Sequence, residues 1–233
     1  MEFFNLNENS VLVSWKDELN SSLTRLISSY KTEILSLYKD DIKDCIQSIK
    51  SILIIIDLNR TSIDEIVNKI KMIDYEKINN YDRTIKVWEI PVCYDLEFAK
   101  DINLLSEIIN LSVRDIIDAH LSKTYDVLSM GFLPGFMYLG KTDKKLYCDR
   151  KEKPSLNIRK GSIGLALDQT CIYPRQSPGG WYIIGNSPIE FFNLTSKHPC
   201  FSKPGDKIKF VEISKSQYKS FINIPVKPKP IEL

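Results

Sequence analysis

The sequence predicts an α+β protein in two parts. A small N-terminal ferredoxin-like α/β domain is expected over residues 1–83. A β-barrel domain follows over 84–215, and an extended C-terminal tail over 216–233. Three observations predict this. Residues 1–90 contain neither glycine nor proline, whereas all nine glycines lie between Gly131 and Gly205. Hydrophobic periodicity in the first part runs strand, helix, strand, strand, helix, strand. After Tyr125 the apolar runs shorten and are punctuated by Gly and Pro, as in closed or nearly closed β-barrels.

The elements follow in chain order. Ser10–Trp15 is a short apolar strand. Across Asp17–Tyr38, Leu19, Leu23, Leu26, Ile27, Tyr30, Ile34 and Leu37 recur near helical period. Cys45–Lys50 alternates, and the β-branched run Ile52–Asp57 suits a buried strand. In Ser62–Ile73, Ile63, Ile66, Val67, Ile70 and Ile73 share a helix face that Thr61 or Ser62 can cap. Thr84–Val92 alternates and completes the split βαβ, ferredoxin-like order βαββαβ. Asp101–Ile109 and Val113–Leu121 read as helices, the second capped by Ser112. Strands are expected at Val127–Met130, Ile163–Leu167, Trp181–Ile184, Ile189–Phe192 and Lys207–Ile213. The Pro-rich segment 225–230 reads as extended and loosely held.

Composition narrows the function classes. The chain has 233 residues, 43% of them hydrophobic and 27% charged, which suits a globular protein with a real core. A net charge of +2 is too small to imply nucleic acid. Residues 1–90 carry a net −3 and the remainder +5, which fits an anionic small substrate or acidic partner. Five cysteines without a CxxC pair read as reduced thiols, with no disulfide frame or zinc site. The start lacks a basic leader region, and the longest aliphatic run, Ile52–Ile56, is far too short for a membrane span. A cytoplasmic location is expected.

Several segments could carry chemistry. Gly135-Phe-Met-Tyr-Leu-Gly-Lys-Thr142 matches the phosphate-loop string GxxxxGK[ST]. However, no amphipathic helix follows it, and bulky residues fill positions that must close on phosphate. A rigid aromatic wall of Phe132, Phe136 and Tyr138 is the better reading, either lining a pocket or filling a barrel corner. The stretch Gln169–Trp181 sets Gln169, Tyr173, Arg175 and Ser177 among turns. Its Gly179 and Gly180 could present bare amides to an oxyanion or carboxylate. His120 closes a helix; it suits either general acid–base work or the helix dipole. With His198 far away and no carboxylate cluster, no metal site is expected.

Several ordered motifs resemble one family. They are Gly131-Phe-x-Pro-Gly-Phe-x-Tyr-Leu139, Gly161-Ser-Ile-Gly164, Gln169-Thr-x-Ile-Tyr-Pro174 and Ser177-Pro-Gly-Gly-Trp-x-Ile-Ile-Gly185. Ile90-Pro-Val-x-Tyr94, His120 with Tyr125-x-Val127, and Lys203-Pro-Gly-Asp206 extend the match. Together they are similar to the B subunit of 5-oxoprolinase, the family of the sporulation-kinase inhibitor KipI, also called allophanate hydrolase subunit 1. The match covers about residues 84–213, so the second domain is expected to start near Thr84.

The resemblance implies that the barrel is cyclophilin-like. It implies a non-autonomous part of an ATP-dependent cyclic-amide hydrolase that opens 5-oxo-L-proline to L-glutamate. The implied partners are the other two chains of 5-oxoprolinase, its A subunit and its carboxyltransferase-like C subunit, with neither nucleic acid nor membrane. ATP, with magnesium, belongs to the complex; no cofactor is evident for this chain alone. An alternative is a regulator that inhibits a sensor histidine kinase; a prolyl isomerase rests on fold alone. Carried over by motif, His120, Gln169 and Ser177 are the catalytic candidates. Phe136, Tyr138, Arg159, Tyr173, Gly179 and Gly180 are the substrate-binding ones. The chain departs from the family at Pro154-Ser155, where the family has Pro-Arg. Arg159, four residues on, could restore that charge.

Overall fold

A computed structural model describes residues 1–74, 78, 85–222 and 228–231. The chain divides into two compact units, Met1–Thr84 and Ile85–Leu233.

The described residues of the first unit include two helices and a four-stranded antiparallel sheet. Its strands are β1 (Glu2–Asn7), β2 (Ser10–Ser14), β3 (Ile42–Gln47) and β4 (Ser51–Ile56), in the order β1-β2-β4-β3. Helix α1 spans Ser21–Tyr38, and the Asn20 side chain caps it by accepting from the Leu23 amide. Helix α2 spans Ile63–Lys71 and is capped by Ser62, as the sequence leads one to expect. Alternation in β4 buries Ile52, Ile54 and Ile56 completely. Ile27, Ile34, Ile66 and Ile70 pack in the same cluster, and the Tyr30 hydroxyl donates to the Ile70 carbonyl at 2.9 Å, tying the helices together. Each such aliphatic burial stabilises by roughly 1.5–3 kcal/mol.

The sixth element of the expected βαββαβ order is elsewhere. Residues 79–84 lie outside the described set, and β5 (Val87–Val92) joins the sheet of the second unit. The edge place beside β2 belongs to β1 instead, paired in antiparallel register from Glu2↔Ser14 onward.

The second unit contains an eight-stranded sheet, built from β5, β6 (Thr124–Met130), β7 (Met137–Gly140), β9 (Ser162–Ala166), β10 (Gln169–Ile172), β12 (Tyr182–Asn186), β13 (Lys207–Glu212) and β14 (Lys229–Ile231). Its order is β12-β9-β10-β7-β6-β13-β5-β14. Beyond β5, Cys93 exchanges two backbone hydrogen bonds with Asn186 on β12, at 2.9 and 3.0 Å. That bridge joins the β5 and β12 sides of the curled sheet. A separate two-stranded arm pairs β8 (Ser155–Ile158) with β11 (Ser177–Gly179). Helices α3 (Ile102–Ile109) and α4 (Val113–Leu121) contribute Ile102, Leu105, Ile116 and Ile117 to the core among the strands.

Two further expectations need correction. Ile189–Phe192 is irregular chain; Ile189 and Phe191 are buried by packing, without a ladder. Nor is 216–233 simply an extended tail, although 223–227 and 232–233 lie outside the described residues. Lys215–Ile222 forms helix α5, and Lys229–Ile231 pairs with β5. Tyr218 holds the helix down: its ring packs on Phe98, and its hydroxyl donates to Asn186 Oδ1 at 2.6 Å. Tyr218→Phe should therefore cost about 1–2 kcal/mol in urea denaturation, because the Asn186 oxygen loses its buried donor.

Candidate binding face

Strands β7, β9 and β10 have two dissimilar faces, because successive side chains point to opposite sides. One face carries Met137, Leu139, Ile163, Leu165 and Ile172 into the main core. The other carries Tyr138, Gly164, Ala166 and Cys171, and it collects Phe136, Tyr173 and Trp181. The register aligns these residues: Cys171 lies opposite Tyr138 and Gly164, and Gln169 opposite Gly140 and Ala166.

His120 belongs to the first face. It is fully buried and stacks against both Tyr125 and Phe210, which also touch each other, the three rings forming a triangle. Its Nε2 lies 3.0 Å from Thr170 Oγ1, and that hydroxyl donates to the Gly164 carbonyl at 3.0 Å. Thr170 therefore accepts from Nε2–H, and the Tyr94 hydroxyl, 2.8 Å away, donates to Nδ1. Burial pushes the imidazole down to about 3, so it is neutral at physiological pH. Both nitrogens are engaged in the interior, by Tyr94 and Thr170. The neighbours Gln169 and Thr170 point to opposite faces, so Gln169 and His120 do not converge on one substrate.

The opposite face brings most of the other candidates together. The Phe136 ring lies 4.8 Å from Tyr138 and 4.9 Å from Tyr173, centroid to centroid. Tyr138 in turn lies 6.2 Å from Trp181. These spacings are those of favourable edge and tilted aromatic contacts. Gly179 is required here, because a Cβ would collide with the Tyr173 hydroxyl. A Cβ on Gly180 would make only an ordinary contact with the Lys151 carbonyl, and the Gly180 carbonyl accepts from the Lys151 amide at 2.8 Å. The Ser177 hydroxyl is buried and lacks a hydrogen-bond partner among the described residues.

The sequence reading missed the cation of this face. The Arg150 guanidinium lies 5.7 Å from the Trp181 ring centre, a cation–π position. It follows Cys148, which forms a bridge with Leu167, so β-pairing aims it. The only signal in sequence was a Cys-Asp-Arg triplet beside the phosphate-loop string. Arg159 is exposed and lines a cavity of about 40 Å³ with Phe98, Asp101, Ser155 and two aliphatic members of the aromatic cluster, Ile158 and Ile183. The charge at Ser155 comes from Lys151, whose ammonium bonds Ser155 Oγ at 3.0 Å and Asp101 at 2.6 Å.

Electrostatically the face is simple. Burial, reinforced by Cys171 and Tyr138, holds the Tyr173 phenol far above its ordinary range, and Arg150 opposes the shift only weakly. Burial also raises Tyr138 and Cys171. At neutral pH the phenols and the thiol are therefore uncharged beside the guanidinium. Phe136, Tyr173 and Trp181 are themselves buried, 1%, 1% and 5% exposed, so solvent reaches this cluster at its half-buried edge, Tyr138 and Gln169, beside the exposed Arg150. Gly135–Thr142, the phosphate-loop string, supplies strand β7 here and is followed by a single 3₁₀ turn, Lys144–Leu146.

Fold and site together define a two-unit α/β protein whose curled sheet carries a cation-edged aromatic face. The chain belongs to the carboxyltransferase domain, subdomain C and D, family, whose model matches residues 1–202. It is 29% identical over 226 residues to the 5-oxoprolinase B subunit of Bacillus subtilis (strain 168), covering 93% of this chain and 94% of that protein. The resemblance read from the motifs is thus borne out. Among solved structures, TTHA0988 aligns with a TM-score of 0.78 at 24% identity, which supports the fold. That alignment covers 89% of this chain, and the chain spans only 40% of TTHA0988. The conserved uncharacterized protein PH0987 from Pyrococcus horikoshii is 34% identical, with a TM-score of 0.56, covering 93% of this chain and all (100%) of that one. No helix among the described residues is long and apolar enough to cross a membrane.

Proposed function

We propose that this chain is the B subunit of a cytoplasmic, ATP-dependent 5-oxoprolinase that opens 5-oxo-L-proline to L-glutamate together with the A and C subunits of that enzyme. In this reading the second unit is a cyclophilin-like barrel, and its aromatic face holds the lactam. One observation carries the reading: Arg150 lies over Trp181, beside Tyr138 and Tyr173, with uncharged neighbours. A flat five-membered ring would pack against the half-buried Tyr138 at the edge of the cluster, and its carboxylate would meet the exposed Arg150. Gln169, on the same face, would hydrogen-bond the lactam amide.

A lactam is a poor electrophile, and ATP would supply the missing leaving group by phosphorylating the lactam oxygen. The β7 backbone is committed to the sheet, so the nucleotide and its magnesium are assigned to the complex. This chain's contribution is to bind the ring, orient its carbonyl and exclude water. The exposed side chains of Phe132 and Leu156, 62% and 88% accessible, suit docking of a protein partner. They equally favour the second reading, in which the face docks on a sensor histidine kinase. Co-purification with the A and C subunits, against capture of a histidine kinase, separates the two.

The two adjacent glycines give a paired test. Gly179→Ala displaces the Tyr173 ring and should lower kcat/KM of the reconstituted complex for 5-oxoproline about tenfold. Gly180→Ala meets only the Lys151 carbonyl at 3.7 Å and should stay within about twofold of wild type. Steady-state kinetics on the two variants checks this.

A further inference from the structure

We infer that a cleft between Trp88 and the Lys203–Asp206 turn is a second ligand site, one for a small organic anion with a flat aromatic body. It lies on β5, three strands along the sheet from β7, so it is separate from the aromatic face. The Lys203-Pro-Gly-Asp206 motif builds it. Asp206 N bonds the Lys203 carbonyl at 3.0 Å, and Gly205 takes a φ of 93°, as proline followed by glycine favours in a type II turn. The turn buries the Asp206 carboxylate, which accepts from Trp88 Nε1 at 3.1 Å, from the Lys203 amide at 3.2 Å and from the Lys86 amide at 3.4 Å. Trp88 and Phe201 meet edge to face, 5.1 Å between centroids. The cleft they wall holds about 790 Å³, ample for a drug-sized molecule.

The charges favour an anion. Asp206 is compensated by three N–H donors. Glu190, at the rim, is paired with Lys160 at 3.2 Å and accepts from Asn193 at 3.0 Å. The two lining lysines are not compensated in this way. Lys86 lies 5.6 Å over the Trp88 ring, and among the described residues neither it nor Lys203 has a side-chain ion pair. Ser202 also lines the cleft and is 5% exposed, and its hydroxyl, buried beneath the surface, has no hydrogen-bond partner among the described residues. Buried hydroxyls are normally satisfied, and a ligand carboxylate would accept from this one.

The test uses the full chain and the indole N–H resonances of its three tryptophans, with Trp88 assigned through Trp88→Phe. 2-Naphthoate is titrated in, with neutral 2-naphthalenemethanol as the comparison. The expected result is a saturable shift of the Trp88 resonance with Kd near ~0.1 mM, and at least ~10-fold weaker binding of the neutral compound. Lys86→Gln with Lys203→Gln should weaken naphthoate binding at least ~10-fold, and Ser202→Ala a few-fold. Equal affinity for the two compounds, a shift confined to Trp15 or Trp181, or no saturation by about 10 mM would overturn the assignment.

Discussion

His120→Ala is expected to destabilise the second unit by about 3–5 kcal/mol. The substitution deletes a ring packed against Tyr125 and Phe210 and strands the Tyr94 hydroxyl in the core, while Thr170 keeps its bond to the Gly164 carbonyl. Urea denaturation at pH 7 reads the loss. The same residue should leave a mark on the pH profile. Its pKa is about 3 when folded, against an ordinary 6.5, so between those values the unfolded chain binds a proton that the folded chain does not. Its contribution to stability is therefore full above pH 6.5 and is lost as pH falls toward 3, about 2 kcal/mol of it by pH 5. Tyr94 and Tyr125 are pushed up by burial and stay neutral throughout this window. Exposed carboxylates such as Asp57 and Asp95, held low by backbone amides, lose stability in acid with the same sign. The difference between wild type and His120→Phe isolates the histidine. Parallel profiles for the two proteins would contradict the buried, neutral assignment.

Arg150→Gln is the second large effect. If the guanidinium receives the substrate carboxylate, its loss removes a charge-assisted hydrogen bond, about 1.5–3 kcal/mol. The KM of the complex for 5-oxoproline should then rise about 10–100-fold, with a smaller change in kcat. Arg159→Gln should change neither by more than about twofold, because Arg159 faces the small cavity beside Asp101. Steady-state kinetics over both variants distinguishes the two arginines. An effect confined to Arg159 would move the substrate site to the β8–β11 arm.

Local signals were legible in the sequence where one element decides its own fate. Ser62 and Ser112 cap helices where periodicity places them, and the Ile52–Ile56 run is a buried strand. What the sequence conceals is pairing. The alternation of residues 87–92 marks a strand, but nothing in it says that the partners are β13 and β14 rather than β2. The β1 strand, Glu2–Asn7, has weak alternation and forms through its hairpin with β2. Tyr218 reads as a polar-tail residue until Phe98 and Asn186 are brought beside it.

The site shows the same division. Phe136, Tyr138, Tyr173 and Gly179 lie in recognisable Gly- and Pro-punctuated motifs, and they do converge. Arg150 was invisible because only the bridge from Cys148 to Leu167 aims it at Trp181. His120 looked like a proton donor because sequence does not say which face of the sheet a helix covers. The period-2 rule applied to Gln169 and Thr170 resolves this once β10 is known.

The most direct measurement is ADP release by a complex reconstituted from this chain with the A and C subunits of 5-oxoprolinase. The proposal predicts hydrolysis that requires both 5-oxoproline and this chain, with glutamate formed in step with ADP. Hydrolysis that is unchanged when this chain is omitted, or indifferent to 5-oxoproline, would contradict it.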